Sequence, residues 1–209
     1  PVIASIADQS TAEDTAFVFT VSATDVDGDD LTYSASNGNA TITVEGNVLT
    51  VDPESNFVGD SVITVNVSDG QETSSSTFTL TFNPVNDAPV LSDLSNATTD
   101  EDTAYSVELS SSDVDGDTVT YSASSSNGSA SVDGSTLTVA PAQDFNGNLT
   151  VSVTASDGSL TDSGSFTLSV TPVNDAPVVD AIADQTIDED GSLTLSLSAS
   201  DVDGDAVTF

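Results

Sequence analysis

The chain has 209 residues and 35 acidic side chains against no Lys, Arg or His, a formal charge of −35. With no cation to meet a phosphate, nucleic acid is excluded as a partner. With no Cys, a disulfide framework is excluded as well. Acidity on this scale with few aromatics would point to disorder, but hydrophobic residues make up 36% of the chain and fall in patterns. The sequence can therefore build cores. It contains no signal peptide and no apolar run of membrane-spanning length. Pro1 and Phe209 both fall mid-pattern, so the chain reads as a window on a longer array.

Taken in order, the elements have the period of strands. Val2–Ile6 opens the chain; Phe17, Phe19 and Val21 then alternate with Val18, Thr20 and Ser22. Short runs at Leu31–Ala35, Ala40–Val44 and Val48–Val51 follow, set off by turn residues such as Asn37-Gly38 and Glu45-Gly46-Asn47. Ile63, Val65 and Val67 alternate with polar neighbours, and so do Phe78, Leu80 and Phe82. About seven strands in under 90 residues predict an all-β, immunoglobulin-like seven-strand sandwich. Phe57 and Phe145 are expected to plug it beneath turns at Gly59 and Gly147. Tyr33, Tyr121 and Phe209 are expected to lie in cores.

The pattern then repeats with a step of 88 residues. Pro1, Pro89 and Pro177 keep it, as do Glu13, Glu101 and Glu189. Tyr105, Val107 and Leu109, then Leu193, Leu195 and Leu197, repeat the second strand. The predicted organisation is one repeat over residues 1–88 with a linker at about 84–88 and a second over 89–176 with a linker at about 172–176. The N-terminal part of a third, incomplete repeat occupies 177–209. The same step carries an acidic run: Asp25-Val26-Asp27-Gly28-Asp29, then Asp113-Val114-Asp115-Gly116-Asp117, then Asp201-Val202-Asp203-Gly204-Asp205. Two carboxylates about 4 Å apart repel by roughly 4 kcal/mol at an effective dielectric near 20. No base in the chain can relieve that, so positive charge has to come from outside.

Several segments resemble the cadherin-like and bacterial immunoglobulin-like repeats of large bacterial surface proteins such as adhesins. Asn83-Pro84-Val85-Asn86-Asp87-Ala88-Pro89 and Thr171-Pro172-Val173-Asn174-Asp175-Ala176-Pro177 look like that family's linker. Asp144-Phe145-Asn146-Gly147, followed by Val153-Thr154-Ala155-Ser156-Asp157-Gly158, is similar to its late-strand signature. The resemblance covers the whole chain and implies calcium between successive modules. Its first junction would use Glu13, Asp52, Glu54, Asn86 and Asp87 on one side and Asp113, Asp115 and Asp157 on the other. The next would use Glu101, Asn174, Asp175, Asp201 and Asp203. Asp25, Asp27 and Asp69 are the matching acids of the first unit. Pro84 and Pro172 stand where cadherin linkers carry Asp, the linker's second Asn is missing, and Ala140 and Ala142 replace the Asp-x-Glu of the first unit. These departures imply fewer ions per junction than a vertebrate cadherin holds.

Ligand chemistry agrees. Calcium takes six to eight oxygens, and a chain without His or Cys offers no ordinary zinc, copper or iron site. The acidic run is not an EF-hand, because the twelfth position from Asp25 or Asp113 is Ser36 or Ser124 rather than Glu. Ligands must arrive from elsewhere. Asp29, Asp117 and Asp205 are the weaker candidates, expected to cap the turn. Asp-Gly and Asn-Asp steps also form turns with no metal present, and adaptation to high salt is a competing source of acidity. The expected function is a calcium-rigidified structural repeat array in an extracellular bacterial stalk, adhesin shaft or filament. Its partners would be calcium, neighbouring repeats and further copies in a filament, with no membrane insertion. The alternative is an adhesive module that binds a carbohydrate or partner protein. Catalysis is not expected, since nucleophilic triads need His or Lys.

Overall fold

A computed structural model describes residues 1–37 and 39–209. Gly38, the glycine of the expected Asn37-Gly38 turn, lies outside the described residues. There are two compact units, Pro1–Asp87 and Ala88–Phe209. Among the described residues there is no helix.

The first unit contains β1 (Val2–Ile3), β2 (Gln9–Ala12), β3 (Phe17–Thr20), β4 (Ala23–Thr24), β5 (Thr32–Ser36), β6 (Ala40–Glu45), β7 (Val48–Pro53), β8 (Gly59–Ser68) and β9 (Thr73–Asn83). Seven of these form two facing sheets, ordered β2-β9-β8-β5 and β3-β7-β6. The other two, β1 and β4, form a two-residue antiparallel ribbon. Alternation decides which side chains face inward. Leu49, Val51, Ile63, Val65, Val67, Phe78, Leu80 and Phe82 are buried between the sheets, while Ser and Thr take the solvent face. Burying each such side chain contributes about 1.5–3 kcal/mol. Phe57 meets Phe82 edge-on at 5.7 Å, which makes it the plug expected of it.

The second unit repeats the plan with β10 (Val90–Leu91), β11 (Ala97–Asp100), β12 (Tyr105–Glu108), β13 (Ser111–Ser112), β14 (Thr120–Ser125), β15 (Ser129–Asp133), β16 (Thr136–Ala140), β17 (Gly147–Ser156) and β18 (Thr161–Thr171). Its sheets are β11-β18-β17-β14 and β12-β16-β15, around Leu137, Val139, Leu149, Val151, Val153, Phe166 and Leu168. Tyr121 packs on this core and shares a hydroxyl hydrogen bond with Ser111 at 2.7 Å. From residue 177 onward there are only β19 (Val178–Val179) and β20 (Ala199–Ser200), paired with each other. Leu193, Leu195 and Leu197, expected in a strand, are irregular and half-exposed, and Phe209, expected in a core, is 70% exposed. In the second unit the corresponding strand is held by β16, against which Tyr105 and Val107 pair.

One detour positions the candidate site. After β1 the chain leaves its ribbon, and the Asp8 carboxylate accepts the amide of Thr79 at 2.8 Å. Asn96 does the same for Thr167 at 2.8 Å. The chain then joins the other sheet as β2, parallel to β9, or as β11, parallel to β18. Glu13 N–H continues that pairing onto Asn83 O at 2.9 Å, and Glu101 N–H continues it onto Thr171 O at 2.9 Å. Each glutamate is thereby fixed beside the start of a linker.

Candidate metal centre

Glu13 and Glu101 are buried, 3% and 5% exposed, in a chain that offers no base to pair them. Each carboxylate accepts a linker amide through Oε1: Glu13 from Val85 at 2.7 Å, and Glu101 from Val173. A buried charge needs more than one hydrogen bond to offset its desolvation. In the second unit Glu101, Asp175 and Asp203 each bring a carboxylate oxygen within 4.8 Å of the others. The amide of Asp175 also donates to Asp203 Oδ2 at 2.7 Å. Asn174 commits its side-chain nitrogen to Asp175 O at 2.8 Å, so a cation there would meet the amide oxygen. Partial burial first, then the charges of Asp144, Asp203, Asp102 and Glu101, push the Asp175 pKa above its ordinary value.

The acidic runs are built from backbone donors. Asp25 Oδ1 accepts the amides of Asp27 at 2.9 Å and Gly28 at 3.1 Å. Asp113 Oδ1 accepts those of Asp115 at 3.1 Å and Asp117 at 3.2 Å, and Asp201 Oδ1 those of Asp203 at 3.1 Å and Asp205 at 3.2 Å. Capping is thus done by the first acid of each run, not by Asp29, Asp117 or Asp205 as expected. An Asx turn of this kind needs a left-handed residue, supplied by Gly28, Gly116 and Gly204 at φ 79°, 81° and 81°. The late acids follow the same logic. Asp69 Oδ1 accepts the amides of Gln71 at 2.8 Å and Glu72 at 2.7 Å, which hold its pKa below the ordinary range. Asp157 Oδ1 accepts those of Ser159 at 2.6 Å and Leu160 at 2.7 Å.

With Oδ1 locked, Oδ2 is aimed. In the first unit the Pro1 nitrogen lies 3.1 Å from Asp25 Oδ2 and 3.6 Å from Asp69 Oδ2. Pro89 is the matching residue of the second unit, and its peptide-bonded nitrogen offers no hydrogen. There Asp113 Oδ2 is a buried oxygen with no hydrogen-bond partner. A buried acceptor left without a partner costs about 1–3 kcal/mol. The donor set is entirely oxygen, which fits a hard cation such as calcium.

Among the described residues, not every expected ligand lies in such a carboxylate group: Asp25, Asp27, Asp69, Asp113, Asp157 and Asp201 are outside them. Asp52 lies on β7 opposite Thr41, and Asp52 and Glu54 are both exposed. Among the described residues neither joins a group of three carboxylates within 4.8 Å. Conversely, Asp102 and Asp144 were not expected, yet each brings an oxygen within 4.8 Å of the other and of Asp175. Both have left-handed backbone, φ 56° and 55°, and so do their counterparts Asp14 and Asn56 at 54° and 57°. The available signal was an acid directly after each repeated glutamate, since Asp and Asn tolerate this conformation best.

Comparison with known proteins adds a family. The bacterial Ig domain profile matches residues 1–83 and again 86–170. Chitinase A of Pseudoalteromonas piscicida is 32% identical over 112 residues, covering 49% of this chain and 13% of the enzyme's length. Among solved structures, the EC1-2 fragment of human protocadherin-24 is similar over 81% of this chain and 97% of its own, at 17% identity and a TM-score of 0.49. An endo-fucoidan hydrolase from glycoside hydrolase family 107 is similar over 83% of this chain and 28% of its own, at 19% identity and a TM-score of 0.37. The two profile matches account for most of the sequence, and the chain belongs to the bacterial Ig domain family, in two tandem copies.

Proposed function

We propose that the chain is a calcium-binding structural repeat array, part of an extracellular shaft or filament whose linkers stiffen when calcium binds. One observation carries this reading: the buried, unpartnered Asp113 Oδ2 in a chain with no Lys, Arg or His. Glu101, Asp175 and Asp203 support it, since they join a residue of the second sandwich, a linker residue and a residue of the next acidic run. Calcium accepts six to eight oxygens at about 2.3–2.6 Å with flexible geometry. It would draw these carboxylates together and fix the linker between them. Without it, like charges push the linker away from its own glutamate. Extracellular modules bind calcium at about 10⁻⁴–10⁻³ M, and binding to the folded state alone stabilises it by RT ln(1 + [Ca]/Kd). Surface location follows from the same reading, because free calcium at such levels is found outside cells.

Small-angle scattering with calcium and with excess chelator tests the proposal. Calcium removal should broaden the distribution of distances, and Asp113→Asn with Asp115→Asn should reproduce the chelated profile. Identical profiles in all conditions would instead favour an acidic surface suited to high salt. The match to a chitinase favours a second setting, in which the array spaces a polysaccharide-acting enzyme from its anchor. Binding of chitin by the array alone would favour the adhesive reading over that of a spacer.

A further inference from the structure

We propose that Asn56 is a built-in latch that holds the first linker to its domain without any cation, and that the second linker, with Asp144 in the same place, has no such latch. The two positions differ by one repeat step and share their backbone. Asn56 N–H donates to Asp14 Oδ1 at 2.9 Å, and Asp144 N–H donates to Asp102 Oδ1 at 3.1 Å. The backbone turn is shared, while position 56/144 exchanges an amide for a carboxylate and the residue before it changes from Ser55 to Gln143, whose Nε2 donates to Asp144 Oδ2 at 3.3 Å. The Asn56 amide faces carboxylate oxygens, which assigns its nitrogen to that side; in this orientation it donates to Asp14 Oδ2 at 3.1 Å and to Asp87 Oδ2 at 3.3 Å. One neutral side chain thus ties the linker residue Asp87 to the turn that follows Glu13. In the second copy the amide nitrogen is replaced by a carboxylate oxygen, and the side chains of Asp102, Asp144 and Asp175 face one another with no amide among the three to tie the linker residue Asp175. An amide in place of a carboxylate turns repulsion into two hydrogen bonds.

The latch in the first domain stands on its own hydrogen bonds; the dependence of the second linker on a supplied cation rests on the calcium reading. Both linkers read Pro-Val-Asn-Asp-Ala-Pro from residues 84 and 172. Val85 and Val173 therefore have the same intrinsic amide exchange rate and the same acceptor type, a glutamate Oε1. Amide exchange of the whole chain, followed residue by residue in excess chelator at low salt, should find Val85 about three- to tenfold slower than Val173, as expected for one or two exposed hydrogen bonds. Asn56→Asp should raise the Val85 rate to that of Val173, and Asp144→Asn should slow Val173 toward Val85. Both replacements suit the left-handed backbone, since each copies what the other domain already carries. Equal rates in the unaltered chain, or no response of Val85 to Asn56→Asp, would overturn the latch. Adding calcium should then slow Val173 more than Val85. A chain in which calcium slows neither amide loses the metal reading, while the comparison in chelator still decides the latch.

Discussion

Residues 89–121 and 177–209 carry nearly the same pattern one repeat apart, yet they end in different states. In the former, Tyr105 and Val107 pair in a strand and Leu109 is 5% exposed; in the latter, Leu197 is 48% exposed and no strand forms between 180 and 198. The acidic runs behave otherwise. Asp201 accepts the amides of Asp203 and Asp205 at the same 3.1 and 3.2 Å that Asp113 shows, and Gly204 repeats the φ of Gly116. The loop is a local object, closed by an Asx turn within five residues. The strand is a non-local one and takes shape only against a partner. The Asx turn therefore keeps the same hydrogen bonds whether or not the neighbouring strands pair.

That contrast can be broken most forcefully in the core. Leu109→Ala should destabilise the second domain by about 2–5 kcal/mol, whereas Leu197→Ala at the matching third-copy position should change stability by no more than about 0.5 kcal/mol. Urea unfolding followed by tyrosine fluorescence would measure both. An equal loss at the two sites would mean that the third-copy leucine is as well packed as the second. Next in size is the ligand set. Glu101→Gln keeps the acceptor for Val173 but removes the charge, and calcium affinity should fall by at least about tenfold, since affinity tracks ligand charge. Stability in chelator should change far less.

The loops themselves should respond alike. Gly116→Ala and Gly204→Ala face open space but retain φ +81°, so each should cost about 1 kcal/mol locally. Amide exchange of Asp117 and Asp205 would show whether the two loops loosen together, as local closure requires. The smallest effect is that of pH. The folded-state pKa of Asp175 lies above its ordinary value of 3.8, so the folded linker binds the proton more tightly than the unfolded chain. In chelator its contribution is fully present below that ordinary value and is lost as pH rises through the higher folded one. Glu108, whose pKa is lowered by the Thr136 and Ser135 hydroxyls, has the opposite slope and loses its contribution on acidification. Asp175→Asn should remove the first slope and leave the second.

The sandwich was legible because Ile63, Val65 and Val67, or Phe78, Leu80 and Phe82, alternate with polar neighbours for long enough to leave one reading. The edge strands Gln9–Ala12 and Ala97–Asp100 were not, since polar parallel pairing at a sheet edge leaves no such trace. Among the acids, Glu13 and Glu101 announced themselves by recurrence, and the structure buries both. Asp52 and Glu54 matched a motif but face solvent, because spacing along a strand does not reveal which side of the sheet a residue takes. Asp102 and Asp144 were missed for the opposite reason: their proximity depends on two turns 42 residues apart meeting through one hydrogen bond.

Calorimetric titration of calcium into the whole chain, beside Asp113→Asn, bears most directly on the central claim. The unaltered chain should bind calcium at about 10⁻⁴–10⁻³ M, and replacing Asp113 should remove at least one bound ion or weaken it about tenfold. An unaltered chain that takes up no calcium in this range, or an Asp113→Asn chain that binds it just as well, would contradict the account.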